Sequence, residues 1–364
     1  MNRLGLKIID IYIIKKFLGT FFFSLGLILS IAVVFDFAEK IDNFIEQHAP
    51  FRAVIFNYYL NFIPYFALLF SSLFTFISVI FFTSKMAYRS EIISIISSGM
   101  SFHRLLIPYF ISALIIALFS FILSDFIIPP ANRIRLDFEE MYVHTRPFQF
   151  KERNIHRQIQ PGVYIYMETF STMSDIGHKF SMEKYVEGQL VSKLVSDYIK
   201  WDSTSNKWVV RNYYIRTIDE MNETIETGRR IDTTLNLHPS DFKRRINVVE
   251  TMNIRELNKF IEKQLMQGES NIAAYEVEKH KRFAYPFSTF ILTLIGVSVS
   301  SRKVKGGIGM QIGFGLGVAF TYILFMQFSS QFAIGGGLNS FIAVWIPNLL
   351  YGCIAIILYR LAPK

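Results

Sequence analysis

No disulfide can form within this chain. Cys353 is the single cysteine in 364 residues, so any part outside the cytoplasm must fold without an internal disulfide. Tryptophan is scarce, with 3 against 37 phenylalanines. Catalytic signatures are missing too. There is no G-x-x-x-x-G-K-[ST] stretch, and hence no phosphate-binding loop. No H-E-x-x-H occurs, and the histidines (His48, His103, His144, His156, His178, His238, His280) have no ligand spacing. No Ser or Cys stands in a recognisable nucleophile setting. No catalytic residue, metal or cofactor is therefore expected. Charge is also missing from the middle of every long apolar run, which argues against an ion-coupled carrier or proton relay. The cargo is not expected to be a small ion, and the energy source is expected to be another chain.

What the chain has is apolar length. It is 51% hydrophobic and its mean hydropathy is positive, the profile of an integral membrane protein. The first apolar run, Phe17 to Phe35, follows Arg3, Lys7, Lys15 and Lys16. It is too long for a signal peptide, and no A-x-A-like site follows. The second, Ala53 to Ser84, exceeds the ~20 residues a span needs, so it must tilt, kink near Pro64 or project. The third is Leu105 to Ser124, and Pro129 and Pro130 are expected to stop it. The fourth is Phe283 to Ser301. Gly306 to Tyr359 carries no charge: too long for one span, right for two, with a hairpin at Gly335-Gly336-Gly337.

Between the third and fourth runs the composition changes. Gly162–Phe170, Leu190–Trp201 and Lys207–Asp219 alternate like strands, the last two joined by DSTSN at Asp202–Asn206. Short strands with polar turns predict an antiparallel sandwich or barrel. In the strand at Gly162–Phe170 the alternation points Val163, Ile165 and Met167 inward. Met252–Gly268 has helical spacing. The net charge of +9 sits largely in short segments beside the apolar runs, which is an orientation signal. The N-terminus, the Lys85–Arg104 loop, the Arg302–Lys305 loop and the C-terminus are basic, and the Gly335 loop is not. All four basic segments share one side only with six spans, both termini inside and the β insert outside. Gly306, Gly307, Gly309, Gly313, Gly315 and Gly317 permit close helix packing.

One short stretch, Tyr88 to Arg104, stands between spans two and three. On a helical wheel Ile92, Ile93, Ile95 and Ile96 fall on one side, and Ser90, Glu91, Ser94, Ser97 and Ser98 on the other. Gly99 stands where a helix would end. Such a helix, over about 88–99, can lie on a membrane surface, dock into another protein's groove, or be a solvated connector with an incidental glutamate.

Several stretches, in order, resemble the lipopolysaccharide-export permeases of the LptF/LptG family. IIDIYIIKKFLGTF looks like the family's approach to span one and favours the LptG side. SEIISIISSGMS resembles its Glu-led coupling helix ending in Gly. FIIPPANR resembles the exit from span three, and MNIRELNKFIEKQLMQG with VEKHKRFAYPFSTFILTLIG the return into span four. SRKVKGGIGMQIGFGLGVAFTYIL resembles span five, and WIPNLLYGCIAIILYRL span six.

The resemblance implies a helical membrane protein of six transmembrane helices (3+3) with an inserted all-β periplasmic jellyroll. It divides the chain into 1–130, 131–282 and 283–364. It implies an inner-membrane exporter subunit of the ABC type that extracts lipopolysaccharide and passes it to LptC- and LptA-like periplasmic bridge proteins. Its partners would be an LptF-like sister permease and a cytoplasmic LptB-like ATPase dimer. Coupling to the ATPase would fall to Arg89, Glu91, Ile92, Ile95, Ser98 and Gly99. Lipid contact would fall to Phe21, Phe22, Phe314 and Phe320 on spans one and five and to Lys40 just outside span one. LptG-type members tend to carry basic residues where span one leaves the membrane. Here FDFAEKID offers only Lys40. A permease for another lipid or a lipoprotein, or a membrane scaffold without transport, would use the same layout.

Overall fold

In this computed structural model the structure describes residues 7–143, 153–219, 222–242, 248–268, 271–302 and 307–362. Lys303, Lys305, Gly306 and His144 of the sequence reading lie outside them. Among the described residues six helices are long and apolar enough to cross a membrane: α1 (Ile8–Glu46), α2 (Phe51–Tyr88), α4 (Phe102–Tyr142), α6 (Ile272–Ser300), α7 (Gly307–Ile334) and α8 (Ser340–Leu361). The short α3 (Glu91–Ser97) lies between α2 and α4. The chain divides into two compact units. The helical unit is Met1–Val143, Glu250–Ile254 and Ala273–Lys364; the β unit is His144–Val249 and Arg255–Ile272.

α2 is the axis of the helical unit. Hydroxyl pairs join it to its neighbours: Ser71 to Ser120 (3.0 Å) and Thr83 to Tyr109 (3.0 Å) on α4, and Ser72 to Ser288 (3.2 Å) on α6. A second polar tie binds the last three spans. Tyr322 donates to Asn348 Oδ1 (2.9 Å), and Asn348 Nδ2 donates to the Ala284 carbonyl (3.1 Å). Among the described glycines of α7, only Gly315 meets another helix closely, at Ile80. Gly309, Gly313 and Gly317 face open space. Gly296 on α6 is the other close approach: an added Cβ would stand 2.8 Å from Val79 Cγ1.

Pro129 and Pro130 do not stop the third helix. A π-helical stretch at Leu123–Ile127 restarts it, and both prolines fall in the first turn of the segment that follows. A first turn tolerates proline because its N–H groups have no intrahelical partner. A second π stretch, Val54–Tyr59, lies just before Pro64. There Asn61 Nδ2 donates to the Phe56 and Asn57 carbonyls, both at 2.9 Å.

The β unit carries six antiparallel strands paired in chain order. They are β1 (Arg153–Gln160), β2 (Val163–Ser171), β3 (Ile176–Val186), β4 (Gln189–Asp202), β5 (Lys207–Asp219) and β6 (Asn222–Thr233). Ile165 and Met167 are buried as the alternation required, among Phe170, Phe180, Ile199, Val210 and the fully buried Trp208. Trp208 Nε1 donates to the Leu237 carbonyl at 2.8 Å. In the DSTSN turn Asp202 accepts from the Thr204 amide, the Thr204 hydroxyl and the Ser205 hydroxyl. These bonds hold its carboxyl down at about 2. α5 (Ile254–Gln267) buries Leu257, Ile261 and Gln264 along one face.

The close approach at Gly296 yields a stability prediction. Val79 is β-branched and stiff, so Gly296→Ala overpacks the α2–α6 contact and should cost about 1–3 kcal/mol. Gly313→Ala meets open space and should leave the detergent-solubilised chain at least as stable. Thermal midpoints of the two variants, measured side by side, check this; equal midpoints would contradict it.

Candidate functional site

The short helix between spans two and three is built from a reversal and an anchor. α2 ends at Tyr88, and Ser90 takes φ +61°, which turns the chain into α3. The helix is therefore shorter than the stretch that resembled it. Gly99 follows with φ +90°, the left-handed stop that its position predicted. Ile92 is 1% exposed and packs in the core with Ile13, Phe17, Phe102 and Leu105, while Ile95 and Ile96 lie half-buried against the same cluster. Ile93 does not join them: it is 54% exposed. It shares the outer face with Arg89, Ser90, Ser94, Ser97, Ser98 and Gly99, all exposed. The wheel placed Ile93 with the buried isoleucines. A seven-residue helix buries a narrower stripe than four isoleucines, so Ile93 becomes an apolar centre in a polar rim.

Glu91 is half-buried and accepts a hydrogen bond from the Tyr12 hydroxyl at 3.2 Å. Beyond α3, Ser101 caps α4 by accepting from the Arg104 amide at 3.3 Å. The Arg104 guanidinium donates to both oxygens of Asp10, at 2.9 and 2.6 Å. Asp10 is 1% exposed and also accepts from the Lys7 amide at 2.8 Å. Asp10 and Tyr12 were not singled out in the sequence, and Ile93 was placed there on the buried side. The signal that could have found Asp10 is a carboxylate in the first helical turn, three residues after a basic residue, which is the spacing of a cap.

The residues matched to lipid contact divide. Phe22, Phe314 and Phe320 are exposed on α1 and α7, but Phe21 is fully buried. Lys40 is committed within the chain. It pairs with Asp36 at 2.8 Å and with Glu139 at 3.7 Å, and it donates to the Tyr58 hydroxyl. Tyr58 and Tyr59 each donate to Asp36 at 3.2 Å. α1 and α7 are the least buried spans, with 17% and 22% of their apolar stretch covered against 50–56% for α2, α4 and α6. Lipid or another chain must cover these two faces.

A cavity of about 280 Å³ opens in the helical unit among Tyr65, Glu250, Glu278, Lys281, Arg282 and Gln327. Beside it Asp125 accepts from the Ile254 amide at 2.6 Å and pairs with Arg282 at 3.7 Å. Burial, helped by the Glu278 carboxylate and opposed by Arg135, pushes the Glu250 carboxyl up to about 7. The mixed charges suit water and offer no metal cage; among the described residues no group of three metal-ligating side chains occurs.

The family model described as lipopolysaccharide export system permease LptF/LptG matches residues 11–361. Comparison with curated proteins gives no match.

Glu250 predicts a pH dependence. The folded chain holds this proton more tightly than an unfolded glutamate, whose value is near 4.5. Its stabilising contribution is full below that value and is lost as pH rises through about 7. The swing amounts to roughly 2–4 kcal/mol. The thermal midpoint of the solubilised chain should fall between pH 5 and pH 8, and Glu250→Gln should flatten that part of the profile. An unchanged slope in Glu250→Gln would remove Glu250 as its source.

Proposed function

The chain belongs to the LptF/LptG family of lipopolysaccharide export permeases, and from that we propose that it is an LptG-type subunit of an ATP-driven lipopolysaccharide extractor. It is a multi-pass protein of the inner membrane. In this reading an LptF-like sister permease covers the exposed faces of α1 and α7, and a pair of LptB-like ATPase subunits docks on α3. Lipopolysaccharide leaves the membrane between the two permeases, passes along the β unit, a jellyroll in this reading, and reaches LptC- and LptA-like bridge proteins. Both termini and α3 lie in the cytoplasm, and the β unit lies in the periplasm.

The observation that carries this reading is the outer face of α3. Ile92 fastens the helix to the bundle, which leaves Ile93 ringed by Arg89, Ser94, Ser97 and Ser98 with Glu91 at the edge. A rigid, shallow face with one apolar centre suits a protein groove. Arg89, Glu91, Ser98 and Gly99 would meet the ATPase, and Ile92 and Ile95 would hold the helix in place. Acyl chains would meet Phe22, Phe314 and Phe320. Phe21 would back them from inside. Lys40 is held by its carboxylate neighbours and would shape the outer end of α1 before it met any phosphate. Export of another lipid or of a lipoprotein would use the same parts.

Reconstitution tests the reading. The chain alone should hydrolyse no ATP. Co-expressed with its ATPase and sister permease in vesicles containing lipopolysaccharide, it should release that lipid to a periplasmic acceptor only with ATP. Glu91→Lys should weaken ATPase association by ~30-fold or more, about 2 kcal/mol, and abolish release at normal membrane levels. Glu91→Ala should be milder. If Glu91→Lys binds and supports release like the parent, the docking role is wrong.

Orientation has its own check. With Cys353 replaced by Ser, a membrane-impermeant maleimide should label Ser174→Cys in cells with a permeabilised outer membrane. It should label Ser97→Cys only after the inner membrane is opened. Labelling of both in the first condition would overturn the layout.

A further inference from the structure

α1 differs from most of the other spans in being unbroken. It runs 39 residues from Ile8 to Glu46 without a proline. α2, α4, α6 and α8 carry Pro64, Pro108, Pro286 and Pro347. At 1.5 Å per residue such a helix is about 58 Å long, and it carries neither a proline nor a π-helical stretch, two of the usual causes of a sharp kink.

Each end of this rod is fixed by a carboxylate. Near the outer end Asp36 holds Tyr58, Tyr59 and Lys40. At the inner end the first turns bind the start of α3 and the start of α4. Tyr12 donates to Glu91 at the start of α3. Asp10 takes the forked guanidinium of Arg104, which stands in the first turn of α4 and is joined to α3 by the short Ser98–Ser101 link. A bidentate arginine–carboxylate pair fixes direction as well as distance, and this one lies on a carboxylate that water scarcely reaches. The pair spans 94 positions of sequence, so it is a tertiary strut and not a feature of either helix.

We infer that Asp10 and Tyr12 are positioning residues that join α3 to the first turns of α1, so that a displacement of α3 moves α1 as a rigid rod. This rests on the reading of α3 as the ATPase dock and names how its movement reaches the cargo-facing side. Neither residue touches ATP or lipid. α3 and the start of α1 move as one body because the contacts close a loop: along the chain from α3 to Arg104 in the first turn of α4, across to Asp10 on α1, and from Tyr12 on α1 back to Glu91 on α3. Cut the strut and α3 can still dock and the ATPase can still turn over, while α1 stays behind.

The test is the amount of lipopolysaccharide released per ATP hydrolysed, measured on the full complex in vesicles containing lipopolysaccharide, with ATP hydrolysis recorded in the same samples. Arg104→Lys keeps the charge but loses the fork; Tyr12→Phe loses only the hydroxyl. Arg104→Lys should lower release per ATP about tenfold and Tyr12→Phe about threefold, with hydrolysis within about twofold of the parent. The exchange Asp10→Arg with Arg104→Asp should recover at least half of the parent ratio. A ratio equal to the parent in both single variants overturns the inference, and so does a parallel fall of release and hydrolysis. A folded exchange variant whose ratio stays low overturns it as well. Absence of ATP-dependent release in the parent complex would instead remove the proposed function.

Discussion

Hydrocarbon offers a backbone no hydrogen-bond partners, and most of this structure follows from that constraint. Each unsatisfied N–H or C=O would cost several kcal/mol there, so the apolar runs become helices. Their irregularities come with local repair. Around Pro64 and Pro129 the chain widens into π-helical stretches, and near the first of these Asn61 takes up two carbonyls. Thr75, Ser112 and Ser330 turn their hydroxyls back onto carbonyls of their own helices, at 2.8, 2.9 and 2.7 Å. Charge is driven to the ends of the apolar stretches. There it gathers into the Asp10–Arg104 strut at one end and the Asp36–Lys40 and Asp125–Arg282 clusters at others.

The same constraint divides labour among the helices. α2 is packed on several sides and tied by hydroxyl pairs to α4 and α6. α1 and α7 keep most of their apolar surface outward, and the close helix contact of the α7 glycines is confined to Gly315. A permease needs both kinds of helix. In the proposed function a fixed frame resists the force delivered at α3, and a less encumbered wall moves against lipid. α1 meets the second need because it is fastened at its two ends and exposed between them. In the proposed function the chain supplies surfaces and struts and leaves the chemistry of ATP to another protein.

Apolar length and charge placement made the six spans legible, and alternation made β2, β4 and β5 legible. β6, NETIETGRRIDT, was not, because it is an edge strand exposed on nearly every residue and carries no alternating apolar pattern. β1 and β3 were hidden for another reason: β1 alternates in burial but its central buried position is Arg157, and β3 carries charged and polar residues through most of its length. Proline at 129 and 130 misled because a π-helical turn can place it in a new first turn. Glu91 was visible as a lone carboxylate, but its Tyr12 partner stands 79 positions away. Lys40 looked free in sequence because Asp36 beside it reads equally well as a solvated neighbour; Glu139 and Tyr58, which complete its surroundings, come from other helices. Local pattern reveals elements and faces. It does not reveal struts, whose two halves are joined only by folding.

The central claim is that this chain exports lipopolysaccharide with a separate ATPase, and what it holds when gently extracted tests that most directly. Mass spectrometry of the chain solubilised in mild detergent from its own membrane should find lipopolysaccharide, one related six-span permease and an ATPase subunit. It should also find the ATPase lost from Glu91→Lys while the related permease stays. Retention of phospholipid or lipoprotein in place of lipopolysaccharide, or of no ATPase at all, would contradict the account.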